Sequence, residues 1–172
     1  LAEVCADGPL APPQARAVIG ELASAVDNAR QRGVHHLALS PSLVFLSPTG
    51  QITLSGLGTA AALLDVSGVT GPAGVPGDGP GLVRLLYLTL TGHRPQEAED
   101  PADEIRQADE AGSRLPVAPE TDGVVISPAD LNPDLPHDLV SLCEATLIAG
   151  HGPHSSTELI RALAPWPEIV PP

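Results

Sequence analysis

Residues 78–95 read "DGPGLVRLLYLTLTGHRP". Leucine and valine dominate its middle, and Gly92 stands where such a run must stop, so the stretch predicts an apolar helix over about 80–91. Arg84 interrupts the run, which is also too short to span a bilayer. Ahead of it, "DVSGVTGPAGVPGDGP" over 65–80 holds too much Gly and Pro for either regular period and predicts a loop. Behind it, 96–125 is acidic and interrupted by Pro, predicting a mobile stretch with at most a short helical piece around 102–111.

Further out, "PPQARAVIGELASAVDNARQR" carries Ala15, Val18, Ile19, Leu22, Ala23 and Val26 at helical spacing. That stripe predicts a helix over 12–32 with one face on a core, entered through Pro12 or Pro13 and left at Gly33. Residues 43–46 and 51–54 predict two short strands joined by Pro48-Thr49-Gly50. Two more helices are expected at about 136–148, with Leu139, Leu142 and Ala145 inward, and at 155–164. The end, "APWPEIVPP", cannot continue a helix, so 1–165 reads as one domain and 166–172 as a Pro-rich exit linker. The fold class is mainly α, an α+β arrangement of four principal helices and one small hairpin.

Composition narrows the function. The chain has 172 residues, 42% hydrophobic but only 2% aromatic, so its core is built from Leu, Val and Ala. All 8 basic residues are Arg, Met is 0, and the missing initiator implies a piece of a longer protein. A net charge of -13 repels nucleic acid and anionic lipid surfaces. Cys5 and Cys143 give neither a disulfide framework nor metal spacing, which fits a reducing cytosolic setting.

The segment with the look of chemistry is 33–58, "GVHHLALSPSLVFLSPTGQITLSGLG". It has the form of an active-site loop followed by a hairpin, yet Leu, Ala, Ser and Gly stand where reactive groups belong. His36 is more readily a buried structural histidine than a functional one. His35 and His36 make a poor metal pair, because adjacent side chains diverge and no Cys or acid is close in sequence. Asp65 and Asp78 read as a solvated loop acid and a helix cap, and the acidic run 97–110 as a solvated surface.

The order of these elements resembles the C-terminal lobe of a protein kinase. That family writes its catalytic loop H-R-D-x-K-P-x-N, follows it with two short strands, and then places D-F-G. In the resemblance His36 takes the motif histidine, Leu37 the arginine, Ala38 the catalytic aspartate, Ser40 the lysine, Pro41 the proline and Leu43 the metal-binding asparagine. Gly56, Leu57 and Gly58 take the D-F-G positions. The run 78–95 is similar to the family's central buried helix, D-V-Y-S-L-G-x-x-L-Y-x-x-L-T-G-x-x-P, with Asp78, Leu82, Tyr87, Leu90, Thr91, Gly92 and Pro95 in register. "LAEVCADGPLAPPQA" reads like the helices that precede the catalytic loop.

The resemblance implies a kinase-like C-terminal lobe without an N-terminal lobe in this chain, and a pseudokinase rather than an enzyme. Ala38 accepts no proton, while Leu43 and Gly56 supply no oxygen to a metal ion. No metal or cofactor is therefore expected. Asp78 is implied as a structural residue that accepts from the catalytic-loop backbone.

Among pseudokinases the pattern is similar to the cytosolic domain behind actinobacterial MviN-type membrane proteins, flippases of the lipid-linked peptidoglycan precursor. That likeness implies a regulatory module in cell-wall synthesis, cytoplasmic and carried by a membrane-embedded parent. An active Ser/Thr kinase would phosphorylate it on threonine, and a forkhead-associated-domain protein would then dock. Thr70 and Thr121 are the candidate phosphosites. Two other readings stay open: an unconventional nucleotide-binding transferase, and an acidic helical interaction domain unrelated to kinases.

Overall fold

The computed structural model describes residues 1–33, 39–55, 78–96 and 115–170. After a five-residue helix α1 (Ala2–Ala6), the chain enters α2, Pro12–Gln31, with proline in its first turn. Ala15, Val18, Ile19, Leu22, Ala23 and Val26 are all buried, so the stripe expected from their spacing is the face that meets the core. Gly33, at φ 79, takes the left-handed turn that ends the helix.

The expected hairpin is present, one residue shorter at its start. Leu43 belongs to a 3-10 turn, Pro41–Leu43, because Ser40 caps that turn and Pro41 fixes its first φ. Strand β1 (Val44–Leu46) then pairs antiparallel with β2 (Ile52–Leu54) in the register Val44↔Leu54, Phe45↔Thr53, Leu46↔Ile52. The Ser47 hydroxyl organises the connection, accepting from the backbone N–H of Thr49 and of Gln51 at 3.2 and 3.0 Å. Strand β2 packs on α2.

Helix α3, Asp78–Thr91, is the centre of the lobe. Only Pro80, Gly81 and Arg84 of its 14 residues escape burial, and it lies among α2 and the C-terminal helices. A helix apolar on nearly every face is stable only when surrounded, which is why this run reads as hydrophobic throughout its middle apart from Arg84. Gly92, at φ 72, and the Thr91 hydroxyl, which donates to the Tyr87 carbonyl at 2.8 Å, close its C-terminus.

Residues 115–125 correct one expectation, that 96–125 forms a mobile acidic stretch. Val117 forms a parallel bridge with Arg94, and Leu115, Ala118 and Val125 are buried. Strands β3 (Glu120–Thr121) and β4 (Val124–Val125) make a second tiny hairpin around Asp122 (φ 54) and Gly123 (φ 77). These are the left-handed angles of a two-residue type I′ turn, so "TDGV" carried a hairpin signal that its acidic surroundings obscured. The Tyr87 hydroxyl donates to the Ile126 carbonyl at 3.2 Å and fastens this hairpin to α3. The helical piece expected around 102–111 lies outside the described residues.

A one-turn helix α4 (Pro128–Leu131), capped by Ser127, leads to α5, His137–Cys143. The helix expected over 136–148 does continue to Ile148, but Glu144–Ile148 winds as a π-helix. Helix α6, Ser156–Leu163, begins in a reciprocal cap: the Ser155 hydroxyl accepts from the Glu158 N–H at 3.2 Å, and the Glu158 carboxylate accepts from the His154 N–H at 2.8 Å. It packs along α2 and α3. Asp27 of α2 joins the two helices, accepting from the hydroxyls of Thr157 (2.7 Å) and Ser156 (3.1 Å). The chain past α6, expected to leave as a linker, lies back on α2 as far as Val170. The architecture is mainly helical with two small antiparallel strand pairs.

Candidate functional site

The hairpin and the first turn of α3 come together around Leu39. A Cβ at Gly81 would stand 3.3 Å from Leu39 Cδ1, so the segment entering the hairpin is seated on α3 one turn after Asp78. Asp78 itself is buried, 9% exposed. Next along the chain, Ser40 is 1% exposed, with its hydroxyl 2.8 Å from the Ser42 hydroxyl.

Leu43 closes the arrangement. Its carbonyl accepts from the Ser55 N–H at 2.9 Å and from the Ser55 hydroxyl at 3.4 Å, extending the β1–β2 ladder by one pair. The residue in the asparagine position of the kinase resemblance is therefore bonded to the residue immediately before Gly56. His36, Leu37, Ala38, Gly56, Leu57, Gly58 and Thr70 lie outside the described residues, as do His35 and Asp65.

The chemistry available here is limited. Between Leu39 and Ser55 there is no acidic, basic or imidazole side chain, only hydroxyls, one amide and apolar groups. Hydroxyls at their ordinary pKa neither neutralise a phosphate nor take a proton from an attacking alcohol. Among the described residues no three His, Cys, Asp or Glu gather as a metal site. Both cysteines are free and buried; burial raises the Cys5 thiol to about 11 and the Cys143 thiol to about 12, so neither is a nucleophile at neutral pH.

Thr121, the described candidate phosphosite, is exposed at the end of β3, opposite Val124. No helix among the described residues is long and apolar enough to cross a membrane.

A mainly helical lobe with a central buried helix, and a small hairpin packed on α2, is consistent with a kinase-like lobe, and sequence relatives agree. The chain is 28% identical over 171 residues to the serine/threonine-protein kinase PknB of Mycolicibacterium smegmatis, a match covering 84% of this chain and 27% of the kinase. It is 25% identical over 170 residues to PknB of Mycobacterium leprae, with the same two coverages. The chain thus spans little more than a quarter of the length of the curated relatives it matches. No protein-family model matches it.

Proposed function

We propose that this lobe is non-catalytic and serves as a regulatory docking module, a pseudokinase. The observation that carries the reading is the run from Leu39 to Ser55, which meets the central helix through Leu39 yet holds no charged or imidazole group. Phosphoryl transfer needs metal ions that bridge the phosphates and a carboxylate that receives the hydroxyl proton. Leu43 stands where the kinase resemblance has its asparagine, and the same alignment puts Ala38 and Gly56 in the two aspartate places.

The likeness to the MviN-type pattern supports a role in peptidoglycan synthesis, on the cytoplasmic side of a membrane-embedded parent. In that role an active Ser/Thr kinase modifies a threonine, Thr70 or Thr121. The phosphate then offers charge and acceptor oxygens to a forkhead-associated-domain partner.

The names of the relatives favour one competing reading, a transferase that still uses nucleotide. Calorimetric titration with ATP in the presence of Mg²⁺ or Mn²⁺ separates the two. No heat of binding is expected, and a measurable one would favour the transferase. For the partner, a forkhead-associated domain is expected to retain the lobe only after treatment with an active kinase and ATP; equal capture without phosphorylation would remove the switch.

A further inference from the structure

We propose that residues 164–170 form a strap whose docking on α2 restrains the β1–β2 hairpin, and through it the Leu43–Ser55 pair of the candidate site. The seat is Gly20. A Cβ on this residue would come within 2.5–2.7 Å of three atoms of the Trp166 indole, so the ring rests directly on the helix backbone. Trp166 Nε1 donates to Glu21 Oε1 at 3.0 Å. One helical stretch earlier, the Gln14 side-chain amide grips the strap on both sides of Ile169, donating to the Glu168 carbonyl at 3.5 Å and accepting from the Val170 N–H at 2.8 Å. Between these two grips the Ile169 carbonyl faces the hairpin turn, 2.8 Å from where a Cβ on Gly50 would stand.

The strap is therefore pinned to α2 at two points and leans on the hairpin at a third. Between strap, α2 and hairpin opens a groove of about 750 Å³ whose walls include Glu21, Ala25, Asn28, Gln51, Ile52 and Glu168. Only Trp166 and Ile169 of the strap are half-buried against the core and the residues around them are exposed, so its closure depends on a few anchors. Segments held this way open at much lower free energy than the global fold. When the strap opens, the turn at Gly50 loses its outer neighbour. The ladder that ends at Leu43 and Ser55 then keeps its own pairs and the seat of β2 on α2 but loses the brace at its turn, and a two-stranded ribbon has little stability of its own to spare. This restraint does not depend on whether the candidate site binds nucleotide.

Gly20→Ala is the direct test, because Ala suits a helix interior better than Gly and leaves α2 intact while its methyl evicts the indole. Gln14→Ala is the companion variant, removing the second anchor without touching either the tryptophan seat or the hairpin. Trp166 is the single tryptophan, so its emission reads docking without ambiguity. Hydrogen exchange at the N–H groups of Ser47, Gly50 and Ser55, each bonded within the hairpin, reads restraint. Both variants are expected to shift the emission to the red and to speed exchange at these amides roughly tenfold, the effect of losing about one net hydrogen bond, while α3 amides stay unchanged. A red shift with unchanged hairpin exchange would overturn the coupling. Unchanged emission in both variants would overturn the docking itself.

Discussion

Replacing Asp27 by Ala should lower the melting temperature by roughly 5–10 °C, and the structure says why. Asp27 Oδ1 accepts from Thr157 at 2.7 Å and Ser156 at 3.1 Å, while Oδ2 accepts from Gln31 at 2.7 Å. Ser156 is fully buried, so truncation leaves its hydroxyl without this acceptor. Hydrogen bonds to a charged group contribute about 1.5 kcal/mol each, which puts the two that cross from α6 to α2 at about 3 kcal/mol. The Arg30 contact, 3.3 Å long with the arginine side chain 43% exposed, adds only about a few tenths of a kcal/mol. The better helix propensity of Ala offsets about 0.5 kcal/mol.

For a domain of this size each kcal/mol moves the midpoint by about 2–4 °C, which gives the stated range. Thermal melting followed by circular dichroism measures it. Asp27→Asn, which retains an acceptor oxygen, should lose less than half as much. A pH series supplies the sign. The Thr157 hydroxyl, helped by Ser156, Arg30 and Gln31 and opposed by burial, holds the Asp27 pKa below the ordinary carboxylate value. The contribution is thus present above about pH 4, where the unfolded carboxylate is ionised, and is lost as the pH falls through the lower folded value. The gap between wild type and Asp27→Asn should close in acid. A melting point within about 2 °C of wild type for Asp27→Ala would refute the reasoning. So would full additivity of Asp27→Ala with Ser156→Ala, because the partners of one bond cannot both be lost twice.

Three other outcomes are expected. Gly79→Ala should destabilise by about 1–3 kcal/mol or prevent folding, since its Cβ would fall 2.2 Å from the Pro153 carbonyl oxygen, a backbone atom with little room to yield; chemical denaturation measures this. Tyr87 is the single tyrosine, and burial pushes its phenol up to about 12, so ultraviolet titration should show no ionisation of the folded protein near pH 10. Because the unfolded phenol ionises near 10, Tyr87 should contribute to a decline in stability as the pH rises between about 10 and 12, and Tyr87→Phe should make that decline shallower, leaving the share that the buried thiols of Cys5 and Cys143 contribute. With Cys143 buried and its thiol raised to about 12, an aromatic disulfide reagent at pH 8 should react with it only at the rate of unfolding, and immediate labelling would contradict the packing.

The principal helices and the first hairpin were legible because their signals are local. The 3.6 period of α2, the apolar run of α3 on either side of Arg84 and the Pro-Thr-Gly turn are each local in the chain. The second hairpin was legible too, in Asp122-Gly123, but net acidity and three nearby prolines outweighed a turn signal only two residues long. The winding of Glu144–Ile148 into a π-helix had no such signal. It depends on His151 and Gly152 folding back, with the His151 N–H bonded to the Ala145 carbonyl and Gly152 pressed on Thr146.

For the candidate site, the sequence by itself determined that residues 39–55 bring no carboxylate, amine or imidazole of their own, because no fold can put such a group into a stretch that encodes none. Tertiary structure decided what stands beside what. Leu43 meets Ser55 across 12 residues, Leu39 settles on Gly81, and Trp166 finds Gly20 from the other end of the chain. Pairings at such separations follow from shape and burial summed over the whole lobe, and no residue's own propensity records them.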